Sequence, residues 1–208
     1  MKENKEFDLK FCTSKTFLLA GVDEAGRGPL AGPVVAAAVI FDNDTFIPGV
    51  NDSKQLSELQ REDLEKIIKQ QALTFGYGIV NENIIDKINI LQATLKAMKN
   101  AVSKLNVKPD LIIIDGNKSF YSKIPTKTIV KGDAQSFSIA AASILAKVKR
   151  DKLMKKAAMK YPNYLWEKNK GYGTKEHISA IKEFGYSDLH RKTFLTRIIN
   201  EEIQEKLI

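Results

Sequence analysis

The sequence predicts an α/β protein: a mixed five-stranded sheet with helices on both faces and a helical C-terminal portion. Three observations lead there. Leu111-Ile112-Ile113-Ile114 is a continuous apolar run bounded by Pro109 and Gly116, the pattern of a strand buried on both faces. Three other strand-like runs fall within the first eighty residues and read as an antiparallel meander. The two later strands are each reached through a helix, which favours parallel pairing.

The first strand is read at residues 17–22, a short apolar run. Pro29 and Pro33 then keep the intervening turn from becoming a helix. The second strand covers 34–41 and is rich in Val and Ala. Ser57-Glu58-Leu59-Gln60 matches a capping box and opens a helix to about residue 71. Residues 73–80 form the third strand, locally weakened by Gly76 and Gly78. A long amphipathic helix starts at Asn83, with Ile84, Ile88, Leu91, Leu95, Met98, Val102 and Leu105 at three- and four-residue spacings. The fourth strand is the 111–114 run and the fifth covers 126–130. Asp133 opens an Ala-rich helix to about residue 159. Gly171-Tyr172-Gly173 is a loop, Thr174 an N-cap and Gly185 a helix stop, before a last helix from about Arg191.

The 208 residues suffice for one well-buried domain. A single domain over 1–208 is expected, with its core at about 17–185 and a helical segment at about 186–208. The 33 Lys and Arg against 25 Asp and Glu leave a net charge of +8, which favours a polyanionic partner, nucleic acid before membrane. Cys12 is the sole cysteine, so a disulfide framework and a Cys-based zinc site are excluded. With no signal-like or membrane-length apolar run, a soluble cytoplasmic protein is expected.

The chemistry concentrates in Gly21-Val22-Asp23-Glu24-Ala25-Gly26-Arg27-Gly28-Pro29. Adjacent carboxylates at a strand end repel unless a cation or proton lies between them. The glycines beside them let backbone approach a ligand closely. Asp115 ends the fourth strand; if that strand is the parallel neighbour of the first, both acids reach the carboxyl edge where open α/β sheets bind ligands. Asp133 follows Lys131-Gly132 at a helix start, where it also reads as an N-cap. Oxygen-only donors suit Mg²⁺ or Mn²⁺, and four carboxylates can hold two such ions about 4 Å apart for phosphodiester hydrolysis.

These motifs identify a resemblance. Asp23-Glu24-Ala25-Gly26-Arg27-Gly28-Pro29 resembles the signature of ribonuclease HII, the type 2 ribonuclease H. Asp52-Ser53-Lys54, Ile114-Asp115-Gly116-Asn117 and Lys131-Gly132-Asp133 agree with it, as do the 139–148 run, Arg150-Asp151, Gly171-Tyr172-Gly173-Thr174 and His190-Arg191-Lys192. The likeness spans about residues 17–195. It implies a ribonuclease H-like fold and metal ligation by Asp23, Glu24, Asp115 and Asp133. It implies cleavage of RNA in RNA/DNA hybrids or at ribonucleotides embedded in duplex DNA, leaving 5′-phosphate and 3′-hydroxyl ends. Gly26, Arg27 and Gly28 would read the 2′-hydroxyl and flanking phosphates, and Tyr172 would lie on a sugar beside the scissile bond. The 2′-hydroxyl is what distinguishes RNA from DNA at one site.

Lys54 is assigned a phosphate contact, and His190 and Arg191 likewise from their basic stretch. Lys147 reads equally as a motif lysine and as a solvated helix position, with Asp151 four residues on as its helical ion-pair partner. His177 is expected on a surface helix. The chain departs from the family pattern at Gly185-Tyr186-Ser187-Asp188-Leu189, where a proline-bearing loop is usual. A dinucleotide fingerprint and a P-loop are excluded: the glycine spacing fails for the first and Gly-x-x-x-x-Gly-Lys is absent for the second. The competing readings are a nucleic-acid-binding protein that does not cut, and a DNA nuclease or integrase-type enzyme of the same fold. A monomer is expected.

Overall fold

The computed structural model describes residues 2–196. Its sheet has the strand order β3-β2-β1-β4-β5. The strands are β1 (Leu19–Ala25), β2 (Val34–Ile40), β3 (Thr74–Val80), β4 (Leu111–Asp115) and β5 (Thr126–Ile129). β1, β2 and β3 pair antiparallel, and β4 lies parallel to both β1 and β5. The expected mixed topology is therefore present. The helices are α1 (Lys2–Leu9), α2 (Glu58–Gln71), α3 (Glu82–Val102), α4 (Gly132–Gln135), α5 (Phe137–Lys160), α6 (Trp166–Asn169) and α7 (Lys175–Phe184).

α5 covers one face of the sheet and α3 the other, with a buried apolar layer under each. α2 begins at the capping box: Ser57 Oγ accepts from Gln60 N, and Gln60 Oε1 accepts from Ser57 N. Gly76 and Gly78 do more than weaken β3. A Cβ at Gly78 would stand 1.8 Å from the Ala97 carbonyl oxygen, and one at Gly76 would stand 2.3 Å from that of Ala101. The two glycines let α3 press its backbone onto the strand, and its buried residues along that seam are mostly small, Ala93, Ala97 and Ala101 beside Met98, while Ile85 is buried nearer the helix start. The wider stripe of large residues expected from the sequence flanks that seam, and Ile88 is exposed. α3 is also broken at Asn89, whose φ of 64° and ψ of 164° are not helical.

The expected single helix from Asp133 is two. Ser136 leaves the helical conformation, and its side chain caps α5 by accepting from Ile139 N. A further difference is α1, which the polar N-terminal composition did not suggest. It is fastened by Asp8, a buried carboxylate that accepts from Ser136 Oγ at 2.6 Å and from Ser138 N at 2.8 Å. Beyond the sheet, α6, α7 and the 162–164 turn gather Tyr164, Trp166 and Ile181 with Ala31 and Met154 into a separate apolar cluster. Residues 192–196 are helical, and the rest of the expected C-terminal helix lies outside the described residues. No described helix is long and apolar enough to cross a membrane.

Candidate active site

β1 extends further than the apolar run suggested, so Asp23 and Glu24 lie inside the strand and not past its end. Neighbouring strand residues point to opposite faces. Asp23 turns toward α5, where the Ser143 hydroxyl bonds it, and Ser143 Oγ in turn meets Ser53 Oγ at 2.9 Å. Glu24 reaches the opposite side and borders both the main cleft and a smaller recess lined by Leu91, Leu95 and Met98. One of its oxygens meets Arg27 Nη1 at 3.3 Å; the other, Oε2, is buried and has no hydrogen-bond partner. The register Val22↔Ile114 sets Asp115 at the same sheet edge as Asp23. Asp115 Oδ1 accepts from Gly132 N at 2.6 Å. A side chain at Gly132 would crowd that same oxygen at 3.3 Å, so the glycine permits the contact. Asp133, in the first turn of α4, accepts from Lys54 Nζ at 2.9 Å.

Burial pushes the Asp23 carboxyl well above its ordinary range, and Glu24 and Asp115 push it further. Glu24 is raised by burial, with Arg27 pulling the other way and Asp115 adding to the rise. Asp115 is raised by burial against the opposing pull of the Gly132 amide. Among the described residues, no three Asp, Glu, His or Cys side chains already form a group able to hold a cation. Lys54 draws Asp133 and Arg27 draws Glu24, so two of the four acids are held by lysine and arginine. The donor chemistry nevertheless fits a hard divalent cation. All donors are oxygen, three carboxylates are penalised for ionising where they sit, and Glu24 Oε2 lacks any partner.

Asp23, Glu24 and Asp115 open into a cleft of about 370 Å³, and Asp133 reaches its border through Lys54. The Gly26-Arg27-Gly28 turn forms one wall and Tyr172 another; a Cβ at Gly28 would stand 3.9 Å from the edge of the Tyr172 ring. Gly26 has a φ of +96°, in the left-handed region that favours glycine. Tyr172 is 42 % exposed. Lys147 Nζ lies 5.9 Å from its centroid and donates to Asp151 at 2.8 Å, the expected i, i+4 ion pair.

The structure corrects the expectation of phosphate contact for His190 and Arg191, since both are buried. Arg191 donates to the carbonyls of Gly26, Arg27 and Gly32, so its guanidinium is spent on the underside of the glycine turn. His190 Nε2 meets His177 Nε2 at 3.1 Å, and its Nδ1 accepts from Ser187 N. His177 is likewise not at the surface. It is fully buried, accepts from Trp166 Nε1 at 3.0 Å and places Nδ1 2.8 Å from the Tyr172 carbonyl. Burial pushes both imidazoles down, His190 to about 4 with His177 contributing.

Four further residues matter that sequence reasoning gave no role. Ser143 bonds Asp23, and Ser53 bonds Ser143. Arg61 lines the cleft and donates to the Ser53 carbonyl at 3.0 Å. Arg150, entirely buried, lies beneath the turn. Its signal was an arginine in the interior of an Ala- and Ile-rich helix, a position that demands partners when buried.

A family model described as Ribonuclease HII matches residues 20–197. A "Ribonuclease HII" of Endomicrobium trichonymphae is 57 % identical over 189 residues, covering 90 % of each chain. Among solved structures, the ribonuclease H2 of Pyrococcus horikoshii OT3 superposes with a TM-score of 0.75 at 27 % identity, covering 89 % of this chain and 99 % of that one. Bst-RNase HIII in complex with Mn²⁺ superposes with a TM-score of 0.67 at 17 % identity, over 88 % of this chain and 66 % of that one, a likeness of fold.

Proposed function

The chain belongs to the ribonuclease HII family, metal-dependent endonucleases that hydrolyse RNA in RNA/DNA hybrids, and on that premise we propose how its own residues divide the work. Asp23, Glu24, Asp115 and Asp133 are the metal-holding acids. The observation that carries this is the meeting, in one cleft, of three carboxylates disfavoured by burial, one with an unpartnered oxygen, beside the glycine turn and Tyr172. Two Mg²⁺ or Mn²⁺ ions bound there would supply a water nucleophile and neutralise the leaving oxygen. The Mn²⁺ in the type 3 neighbour supports the choice of a divalent ion. Ser143 orients Asp23, and the Gly132 amide orients Asp115. Lys54 holds Asp133, and its largely exposed ammonium is placed to move to a phosphate once the acids turn to the cation.

The substrates are RNA/DNA hybrids and duplex DNA carrying single ribonucleotides. The Gly26-Arg27-Gly28 turn presents backbone to the ribose 2′-hydroxyl with no side chain in the way, and Arg27 faces flanking phosphate. Tyr172 gives the neighbouring sugar a flat surface. We assign a monomer of one catalytic domain working in the cytoplasm.

Incubation with duplex DNA holding one ribonucleotide, with and without Mg²⁺, tests the assignment. The parent should cut only with the ion, and Asp115→Asn should lose about a hundredfold or more while still binding hybrid. Near-parental turnover by Asp115→Asn in Mg²⁺ would remove Asp115 from the ligand set. Tyr172→Ala should slow cleavage at the lone ribonucleotide more than within a long hybrid, where several riboses offer registers. Equal rates on both substrates would leave the ring as packing alone.

A further inference from the structure

We propose that Arg150 is a positioning residue that sets the enzyme's preference for a lone ribose, by locking the Gly26–Gly28 turn and the Tyr172 loop at a fixed spacing. The proposal rests on the reading that those two segments sense the sugar.

The geometry is specific. Arg150 sits on α5, fully buried, and its guanidinium is divided among three carbonyls. Nε donates to Pro33 O at 3.0 Å and Nη2 to Ala31 O at 3.0 Å, both on the segment that continues the glycine turn. Nη1 donates to Lys170 O at 2.9 Å, two residues before Tyr172. The same side chain therefore holds both walls of the cleft. A direct seam runs beside it: Leu30 N and Ala31 N both donate to Gly171 O, at 2.8 and 3.3 Å. The fit leaves no slack. A Cβ at Gly26 would stand 2.1 Å from Arg150 Nε, and one at Gly171 would stand 2.5 Å from Ala31 O. The guanidinium carbon also lies 5.8 Å from the Tyr172 ring centroid, so the ring rests over the cation that spaces it.

The planar fork is what the job requires. Three carbonyls in divergent directions match fixed N–H vectors, and a lysine ammonium on a flexible stem cannot reproduce them. Arg191 supports the glycine turn from below but has no bond to the Tyr172 loop, so it does not link the two walls. Arg150 alone among the described residues donates side-chain hydrogen bonds to both segments.

The test is the ratio of kcat/KM on duplex DNA with one ribonucleotide to kcat/KM on a long RNA/DNA hybrid. It is measured for the parent, Arg150→Lys, Tyr172→Ala and the double variant. A role limited to stability would scale both substrates alike and leave the ratio unchanged. The expectation is that Arg150→Lys lowers the ratio by about tenfold, the scale on which sub-ångström misplacement shows in rates. The double variant should fall no further than Tyr172→Ala, because both changes remove the same contact. Hydrogen exchange at the Leu30 and Ala31 amides should quicken in Arg150→Lys while the sheet amides hold. If Tyr172→Ala lowers the ratio and Arg150→Lys does not, the proposal fails and the sugar-sensing reading stands. If Tyr172→Ala leaves the ratio unchanged, that reading fails, and unquickened exchange at Leu30 and Ala31 would then overturn the spacing role as well. Multiplicative effects in the double variant would also overturn it. Should Arg150→Lys not fold, Gly171→Ala forces the same seam apart from the other wall and takes its place in the comparison.

Discussion

Gly21→Ala should disable the enzyme from a position that touches no substrate. Gly21 lies two residues before Asp23, on the same face of β1, against α5. A Cβ there would stand 2.2 Å from the Ser138 carbonyl carbon and 2.6 Å from Ile139 N. Both are backbone atoms of α5 and cannot rotate away. Ordinary contact starts at 3.4 Å, so strand and helix must part by about 1 Å. Overpacking of this kind costs about 1–3 kcal/mol, and backbone against backbone belongs at the upper end. Loss of glycine freedom in the unfolded chain returns roughly 0.4–1 kcal/mol. The remainder lowers the melting midpoint by roughly 4–8 °C for a chain of this size. The rate should suffer more, because α5 carries Ser143, which bonds Asp23, and a 1 Å displacement costs on the order of a hundredfold. The assay is single-turnover cleavage of a hybrid in Mg²⁺ beside a melting curve. Gly49→Ala is the control: it has room, its strain comes from a φ of +88°, and it lies outside the cleft, so folded protein should cut at the parental rate. Gly21→Ala melting within a degree of the parent and cutting as fast would refute the reasoning.

Metal and pH should be linked. Asp23, Glu24 and Asp115 have folded-state affinities for protons above those of the unfolded chain, so the metal-free protein loses stability as pH rises through those raised values. Saturating Mg²⁺ should raise the midpoint, flatten that loss and release protons, measurable as a calorimetric heat that varies with the buffer's ionisation enthalpy; no proton release at any pH across that loss would contradict it. His190 acts in the opposite sense. Its pKa is lowered from the ordinary 6.5 to about 4, so in Mg²⁺ stability should fall as pH drops through that window, and His190→Gln should lose part of the slope. Hybrid affinity should fall steeply with salt as Lys and Arg displace counterions, and a flat response would mean that the +8 charge forms no nucleic-acid face.

Local grammar explains what was legible. The Ser57 capping box defined α2 because its two bonds lie within three residues. The 111–114 run and the acids of β1 and β4 were readable because strand burial and chain order follow from composition. Most of what failed depended on distant partners. Arg191 looked like a surface cation because the carbonyls that claim it lie more than 150 residues away. His177 and His190 find each other across thirteen residues only after Trp166 and Tyr164 enclose them. The amphipathic stripe of α3 is legible, but the sequence cannot show that Gly76 and Gly78 make the alanines beside it the closer surface. The helix break at Ser136 escaped notice because a serine in a helical window reads as a weak former, and its capping bond to Ile139 decides otherwise.

Asp8 gives the molecule an order of assembly. Its carboxylate completes the head of α5, yet its partners Ser136 and Ser138 stand 128 and 130 residues later in the chain. At ordinary rates of synthesis, on the order of ten seconds separate the two ends of that contact. α1 therefore leaves the ribosome with a carboxylate that has nothing to hold. All five strands and α3 are made before its serines exist. The helix that carries Ser143 to Asp23 can be clasped only after every strand of the sheet has been made, so the carboxylate cleft closes late. A nascent chain stalled before residue 136 would hold Asp23, Glu24 and Asp115 without α5 over the sheet face that Asp23 occupies. The activity arrives with the second half of the chain, and the N-terminal helix is the latch that waits for it.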